Sequence, residues 1–282
     1  MHSLKEKIRH SFNNSAQTYE SAAFLQQEVA HRMMDNLELF KLNPKRILDL
    51  GSGTGSARKL LKKKFPRIEF VELDISFEML SYSMNKYRDW SFWPFQPKNH
   101  FICADIESLP LKDSSIDFVW SNLVFEWGES VPRIIENVKR VLRPGGLLMF
   151  ATLGPDTLKE LRLSFERIGI TPPINEFLDM HEIGDQLIQN GLLDPVMDAE
   201  ILTLQFSSLS DFVSELKRSG STTKSVTEVE RAPWSRVEKA YPKNEGEDGI
   251  YPASFEVIYG HAWAPSTNPN PKISTIKFYD SK

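Results

Sequence analysis

A short apolar segment that runs directly into a glycine-rich loop is the feature that most restricts how this chain can fold. Residues 46–50 read RILDL, a run typical of a buried strand, and Gly51, Gly53 and Gly55 follow it immediately. Glycines at this spacing let the chain turn tightly and let a ligand approach the main chain without meeting a Cβ atom. A helix predicted over 56–65 would direct its first N–H groups at that ligand. The sequence therefore predicts a strand, a ligand-binding turn and a helix in succession.

Strand-like and helix-like patterns alternate along much of the chain. Besides 46–50, apolar runs predict strands at 68–74, 101–105, 116–122, 146–153, 200–206 and 255–263. Helical spacing predicts helices over 4–40, from 76 to about 86 and over 130–142, with mostly helical structure in 155–250. This alternation is typical of an α/β fold with a doubly wound, mostly parallel sheet, here with seven strands and a helical cap. We expect an N-terminal helical cap, an α/β core, lid helices with the last strands, and a tail, at 1–40, 41–153, 154–265 and 266–282.

Composition and charge exclude several classes of protein. Lys and Arg together number 34 against 38 Asp and Glu, a net charge of -4, which argues against a general nucleic-acid binder. The one cysteine, Cys103, cannot form an internal disulfide, and the six histidines are dispersed, so we expect no metal centre. The sequence has no run of about 18 apolar residues and its start lacks an apolar signal core. We therefore expect a cytoplasmic protein without a membrane span.

Acidic side chains follow the next two predicted strands. Asp74 ends the second strand, where a carboxylate can accept hydrogen bonds from ribose hydroxyls, and Glu72 on the same side of that strand competes for the role. Asp105 ends the third strand, where it can accept a hydrogen bond from an adenine amino group while Ile106 supplies an N–H. Together with the glycine loop, these residues predict one nucleoside-binding site. Because Ser56 is small enough to imitate the third glycine of a dinucleotide-binding loop, glycine spacing alone leaves that alternative open.

Four motifs together resemble the class I S-adenosylmethionine-dependent methyltransferases. They read ILDLGSGTG, ELDISFEML, ADIESLP and VLRPGGLLMFAT and lie within residues 46–152. The resemblance implies a Rossmann-like sheet and S-adenosylmethionine as the cofactor. It outweighs a dehydrogenase interpretation, for which the chain shows no separate substrate-domain pattern.

Further segments extend the resemblance over nearly the whole chain, to one family of these enzymes. RHSFNNSAQTYESAAFLQQEVAHRM, LGPDTLKELR, DMHEIGDQL, GLLDPVMDAEILTL and YPASFEVIYGHAW are similar to the malonyl-carrier-protein O-methyltransferases of biotin synthesis. The resemblance implies methylation of the free carboxylate of a malonyl thioester, carried by an acyl carrier protein or by coenzyme A. The alternatives are a methyltransferase of the same fold with another small acceptor, and a cofactor-binding respiratory-complex assembly factor that methylates nothing.

Carried over position by position, the resemblance also implies a set of cofactor-binding residues. Those at the methionine part of the cofactor would be Asp49, Gly51, Gly53 and Gly55. Asp74 would hold the ribose, with Met79 packed nearby. Asp105 and Ile106 would hold the adenine, and Asn122 and Leu123 would border the sulfur.

Fewer residues can be named for binding the methyl acceptor than for binding the cofactor. The resemblance implies that Tyr19 closes over the acceptor, while Trp127, just past the fourth strand, could form an aromatic wall that excludes water. Arg162 could supply the cation that an acceptor carboxylate needs. The family commonly has Gln where this chain has Glu126, and a carboxylate there would repel an anionic acceptor if it pointed inward. No general base is expected, because a free carboxylate is already ionised at neutral pH.

An acyl carrier protein is acidic, so its dock should be a basic face near the acceptor mouth. Two clusters could form that face, Lys5, Lys7 and Arg9 on the first helix, and Lys217, Arg218 and Lys224 beside a loop predicted at 219–230. We expect the protein to be a monomer that binds neither nucleic acid nor a membrane.

Overall fold

Seven strands form one sheet in the part of the chain that the structure, a computed structural model, describes, which is residues 4–87, 99–218, 233–242 and 250–266. They are β1 Arg46–Leu50, β2 Glu69–Asp74, β3 Asn99–Cys103, β4 Ile116–Asn122, β5 Leu142–Leu153, β6 Leu193–Phe206 and β7 Tyr251–Trp263. Their order across the sheet is β3-β2-β1-β4-β5-β7-β6. The first five are parallel, whereas β7 is antiparallel to both β5 and β6. The predicted doubly wound, mostly parallel seven-stranded sheet is confirmed.

Helices pack on both faces of this sheet. In chain order they are α1 Leu4–Ser15, α2 Tyr19–Ala22, α3 Phe24–Leu37, α4 Ser56–Lys64, α5 Phe77–Lys86, α6 Val131–Val141, α7 Lys159–Arg167, α8 Met180–Gln189, α9 Leu209–Arg218 and α10 Trp234–Ala240, with a 3₁₀ helix at Phe125–Trp127. None of those in the described ranges is both long and apolar enough to cross a membrane. The loop predicted at 219–230 lies outside the described residues, and the division into cap, core, lid and tail stays a prediction.

The prediction of one helical segment over 4–40 is wrong, because α1, α2 and α3 are separated by two breaks. Polar side chains at the first break bond back to the main chain: Ser15 Oγ donates to Phe12 O, and Thr18 Oγ1 donates to Ser15 O. Such bonds offer the backbone an alternative to continued helix. The break places Tyr19 at the start of α2, where its side chain reaches the carboxyl edge of the sheet.

Four strand predictions need correction at their boundaries. The fifth strand begins at Leu142 rather than at residue 146, and the seventh begins at Tyr251 rather than at residue 255. The sixth strand begins at Leu193 rather than at residue 200, and the third ends at Cys103 rather than at residue 105. β6 is an edge strand that pairs with β7 along nearly its whole length, so most of its residues are half-buried or exposed and lack a continuous apolar run. Tertiary pairing, not local apolar pattern, therefore sets where β6 begins.

The central strands are buried on both sides. Leu48 and Leu50 of β1 pack with α6 and α8, whereas Ile47 of the same strand packs with α3 and α4. Because β1 and β4 lie in the middle of the sheet, the loops that follow them are held by rigid neighbours. The sheet therefore presents its carboxyl edge as a fixed platform for a site.

Candidate active site

A cavity opens at the carboxyl ends of β1 to β4, where a doubly wound sheet binds its ligands. Its free space, counted together with the solvent at its mouth, is about 630 Å³. Its lining residues are Lys5, Ile8, Phe12, Tyr19, Gly51, Gly53, Asp74, Ile75, Met79, Asp105, Ile106, Asn122, Leu123, Val124 and Trp127. The structure thus brings together all the residues predicted to bind the cofactor except Asp49 and Gly55, which lie behind this lining.

The glycines of the loop after β1 meet different surroundings. A Cβ atom on Gly51 would lie 2.3 Å from Cγ2 of Val124, so packing against protein excludes a side chain there. A Cβ atom on Gly53 would lie 3.7 Å from Cε1 of Tyr19, an ordinary contact distance. Gly53 therefore presents bare main chain to the cavity, beneath the tyrosine ring.

Asp74 fixes the floor of the cavity. Its carboxylate accepts hydrogen bonds from the main-chain N–H groups of Gly53 and Ser76, each at 2.8 Å. Burial raises the pKa of this carboxyl to about 6, although the same N–H groups act in the opposite direction. Asp74 thus joins the glycine loop to the start of α5 and remains part of the cavity wall.

Glu72 has a different environment, which separates it from Asp74. Its carboxylate pairs with the guanidinium of Arg58 on α4, and Ser83 Oγ of α5 donates to it at 2.6 Å. Burial raises the pKa of Glu72, whereas Arg58 opposes that change. A Cβ atom on Gly55 would lie 2.0 Å from Ser83 Oγ, so the third glycine of the loop leaves room for this buried network. The structure places Asp74, not Glu72, at the cavity.

Two acceptor atoms beside the cavity are left without partners. Oδ2 of Asp49 and Oδ1 of Asn122 are buried and accept no hydrogen bond from the described residues. Burial raises the pKa of Asp49 well above its usual range, and Glu72 and Asp74 act in the same direction. Because buried acceptors are normally satisfied, these atoms fit a ligand that brings N–H donors and positive charge to this end of the cavity.

Lys5 of α1 crosses the opposite end of the cavity. Its ammonium pairs with the carboxylates of Asp105 and Glu107. The side chain of Glu107 is only 2% exposed, and its second oxygen accepts a hydrogen bond from Ser130 N at the start of α6. Asp105 lies two residues beyond the end of β3, not on the strand itself. α1 is therefore tied by charge to the residues predicted to hold adenine.

Aromatic and polar contacts hold the rest of α1 over the cavity. The rings of Phe12 and Trp127 meet edge to face, with centroids 5.2 Å apart. Ser76 Oγ donates a 2.7 Å hydrogen bond to Asn13 Oδ1. Tyr19 follows at the start of α2. Burial raises the pKa of its hydroxyl, and the carboxylates of Asp74, Glu126 and Asp49 act in the same direction. A neutral tyrosine and two apolar rings thus shield the centre of the site from water.

A second cavity adjoins the first and shares Phe12, Tyr19, Leu123 and Trp127 with it. Its free space, counted together with the solvent at its mouth, is about 610 Å³. Its other lining residues are Leu25, Gln26, Glu126, Leu153, Thr157, Leu158, Ile174, Asn175, Phe177, Leu216 and Phe255. Leu123, between the two cavities, has a φ of 54°, a strained conformation for a residue with a side chain. Ligands in the two cavities would therefore meet at these four shared residues.

The side chain of Glu126 points into the second cavity. Its carboxyl accepts a 3.0 Å hydrogen bond from Thr152 Oγ1 of β5. Burial raises the pKa of Glu126 to about 7, and the hydrogen bond from Thr152 acts in the opposite direction. Glu126 thus points inward, the condition under which a carboxylate there was expected to repel an anionic acceptor, and burial favours its neutral form.

Arg162, predicted to bind the acceptor carboxylate, lies behind the second cavity. Its guanidinium donates to the main-chain oxygens of Thr157 and Asn175, two residues that line the cavity. Burial lowers its pKa. The structure thus places Arg162 where it shapes the wall, and its direct role toward an acceptor stays a prediction.

Several residues of this site were absent from the sequence-based set. Phe12 and Glu107 carry no local signal, since their roles depend on how α1 docks against residues about a hundred positions away. Lys5 was predicted as part of a partner-facing cluster, but it pairs inward with Asp105 and Glu107. Its spacing from Ile8 and Phe12 on one face of α1 is the signal that could have shown this.

Comparison with known proteins places the chain among methyltransferases. A sequence family described as a methyltransferase domain matches residues 48–150. A malonyl-[acyl-carrier protein] O-methyltransferase of Gallionella capsiferriformans is 41% identical over 94% of this chain and 93% of its own length. A protein of the same description from Laribacter hongkongensis is 41% identical over 95% of this chain and 92% of its own length.

Solved structures share the fold at low sequence identity. The phosphoethanolamine N-methyltransferase 2 of Haemonchus contortus, in complex with S-adenosylmethionine, is 13% identical with a TM-score of 0.58, over 94% of this chain and 61% of that one. The YcgJ protein of Bacillus subtilis is 17% identical with a TM-score of 0.57, over 84% of this chain and 99% of that one. These likenesses show a class I methyltransferase fold.

Proposed function

Because the chain belongs to the malonyl-[acyl-carrier protein] O-methyltransferase family, we propose that it methylates the free carboxylate of a malonyl thioester. The observation that carries this proposal is the pair of cavities that meet at Tyr19, Leu123 and Trp127. The first would hold S-adenosylmethionine and the second the malonyl group. The product, a malonyl methyl ester, would serve an early step of biotin synthesis.

The residues of the first cavity fit S-adenosylmethionine. The unpartnered oxygens of Asp49 and Asn122 suit its ammonium group, and the bare main chain at Gly53 leaves room for its methionine part. Asp74 would accept hydrogen bonds from the ribose hydroxyls, with Met79 packed beside it. Asp105 and Ile106 would hold the adenine, while Leu123 would border the sulfur. Gly51 and Gly55 would act indirectly, by letting the loop pack.

For this methyl transfer the protein has mainly to align the acceptor with the methyl group and to exclude water. Bound S-adenosylmethionine supplies a methyl group on a positively charged sulfur. The malonyl carboxylate is already ionised, so no side chain has to remove a proton from it. Tyr19 and Trp127 would align the acceptor and exclude water, and such alignment is worth on the order of 7–11 kcal/mol in intramolecular reactions. Arg162 would hold the wall of the acceptor cavity in place.

Replacing Asp74 with alanine should weaken S-adenosylmethionine binding by about 1.5–3 kcal/mol, the scale of hydrogen bonds to a charged group. The variant would lose the ribose contact and the support of Gly53 N. Isothermal titration calorimetry measures this, with the exposed Asp113→Ala as the control. Equal affinities for wild type and Asp74→Ala would reject the assignment.

An acyl carrier protein is the proposed carrier of the malonyl group, and the outer face of α1 is its proposed dock. Lys5 is engaged inward, and Arg218 donates to Ser21 Oγ, which leaves Lys7 and Arg9 exposed beside the cavities. The remaining predicted basic residues are Lys217, whose side chain is not described, and Lys224, which lies outside the described residues.

Charge reversal of Lys7 and Arg9 together should raise KM for malonyl-carrier protein and leave KM for malonyl-pantetheine, which lacks the phosphates of coenzyme A, nearly constant. The reason is that electrostatic attraction to an acidic partner acts mainly on encounter. Steady-state kinetics at low and moderate salt measures both constants. A similar rise for both thioesters would argue against this dock.

The experiment that tests the proposed function is methyl transfer from labelled S-adenosylmethionine. The acceptors are malonyl-carrier protein, malonyl-coenzyme A and the acetyl forms of each. Label on the malonyl but not the acetyl thioesters supports the proposal, and the relative rates identify the carrier. Cofactor binding without label on any acceptor would favour another acceptor or a non-methylating assembly role.

We further propose that the protein acts in the cytoplasm as a monomer and binds neither nucleic acid nor a membrane. Sedimentation of the purified protein tests whether it is a monomer.

A further inference from the structure

The second cavity, which is the proposed acceptor cavity, has an acidic residue in its wall although its proposed ligand is an anion. If the proposed function holds, its ligand carries a carboxylate. Among the described residues that line it, none is Lys, Arg or His, and Glu126 is the carboxylic acid. An ionised Glu126 beside an ionised acceptor would be costly, because two carboxylates that share a site cannot both hold their charge.

The surroundings of Glu126 favour its neutral form. Thr152 of β5 is its hydrogen-bond donor, and Tyr19 of α2 faces the same space as a neutral hydroxyl. The other acids that act on Tyr19, Asp49 and Asp74, add no positive charge. Arg162 of α7 is turned to main-chain oxygens. Burial accordingly raises the pKa of Glu126 to about 7, above that of an ordinary malonyl carboxyl.

We propose that Glu126 binds the acceptor as a neutral carboxylic acid and donates its proton in a hydrogen bond to one oxygen of the acceptor carboxylate. The other oxygen then receives the methyl group. In that step an O–C bond forms, the S–C bond of the cofactor breaks with its electron pair left on sulfur, and Glu126 keeps its proton. This assignment rests on the proposed function, since it names how that acceptor is recognised.

The arrangement accounts for both selectivity and release. A hydrogen bond from a neutral acid to a carboxylate is short and strong. An acetyl thioester lacks the carboxylate and would leave the Glu126 donor unpaired, which disfavours its binding. After transfer, the neutral ester is a weaker acceptor of the same hydrogen bond. The product is therefore held less tightly than the substrate.

The pH dependence of kcat/KM for malonyl-carrier protein, at saturating cofactor, tests the proposal. Wild-type kcat/KM should fall about tenfold for each pH unit above the pKa of Glu126, because only the neutral acid accepts the substrate. Glu126→Gln, whose amide donates without titrating, should show no fall over the same range. Thr152→Val should move the fall to higher pH, since Thr152 lowers the pKa of Glu126, whereas Thr152→Ser should keep the wild-type midpoint.

A binding measurement gives a second readout. At pH 8, a malonyl thioester that binds wild type in the presence of S-adenosylhomocysteine should carry a proton in with it, whereas binding to Glu126→Gln should not. Calorimetry in buffers of different ionisation enthalpy counts that proton, and circular dichroism checks that each variant is folded. Active enzyme whose wild-type and Glu126→Gln pH profiles coincide, with no proton taken up, would overturn the role of Glu126. Absence of turnover on any malonyl thioester would instead overturn the proposed function.

Discussion

Replacing Gly55 with alanine should destabilise the fold by about 2–5 kcal/mol, the sum of left-handed backbone strain and a broken buried polar network. Gly55 has a φ of 76°, and an added Cβ would lie 2.0 Å from Ser83 Oγ. That hydroxyl donates to Glu72 and accepts from Arg58, and all three side chains are buried. Ser83 cannot move without leaving the buried Glu72 short of a partner. Denaturant unfolding followed by circular dichroism measures the loss.

The chain offers a matched control for backbone strain alone. Gly169 has a φ of 72°, and an added Cβ there would meet nothing within 4 Å. Gly169→Ala should therefore cost only about 1–2 kcal/mol. Removing the hydroxyl with Ser83→Ala should recover part of the Gly55→Ala loss in the double variant, because the two positions are in contact. Equal losses at Gly55 and Gly169 would contradict the packing explanation.

Replacing Glu126 with glutamine should stabilise the protein at alkaline pH by up to about 3 kcal/mol, since one pKa unit corresponds to about 1.4 kcal/mol. Burial raises the pKa of Glu126 from 4.5 to about 7, so between these values the folded state holds a proton that the unfolded state has lost. Wild-type stability from this group is complete below pH 4.5 and is lost as pH rises to about 7. Glutamine removes that dependence.

Urea unfolding at pH 5, 7 and 8.5 measures the difference between wild type and Glu126→Gln. The difference in free energy of unfolding, Glu126→Gln minus wild type, should increase from pH 5 to pH 7 and then stay constant. Glu129→Gln, an exposed position three residues along, is the control and should show no such widening. A gap that narrows with rising pH would mean that Glu126 is ionised in the folded protein.

The sheet could be predicted because the sequence signals that specify its central strands lie within the strands and the turns beside them. Short apolar runs and the glycine turn each act within a few residues, and they predict alternating strands and helices. Boundaries that depend on distant pairing were missed. β6 begins at Leu193 because β7 pairs with it, although the residues before 200 have no strand-like run of their own. The first break in the N-terminal helix coincides with Ser15 and Thr18 bonding back to the main chain.

The residues of the site likewise divide into those that local sequence predicts and those that distant contacts decide. Asp74 and Glu72 lie on one side of β2, so the sequence alone left both open. Arg58 and Ser83 decide between them, since they occupy Glu72 and leave Asp74 at the cavity. The contact of Lys5 with Asp105 joins residues a hundred positions apart, which no local pattern predicts.

The position of the transferred methyl group distinguishes methylation of the malonyl carboxylate from the alternative functions. Malonyl-carrier protein treated with enzyme and isotopically labelled S-adenosylmethionine is digested, and mass spectrometry locates the label. We expect an ester on the free malonyl carboxyl, released as methanol by mild alkali, and no label on acetyl-carrier protein. Label on a side chain of the carrier protein, or no label while the cofactor is bound, would rule out methylation of the malonyl carboxylate.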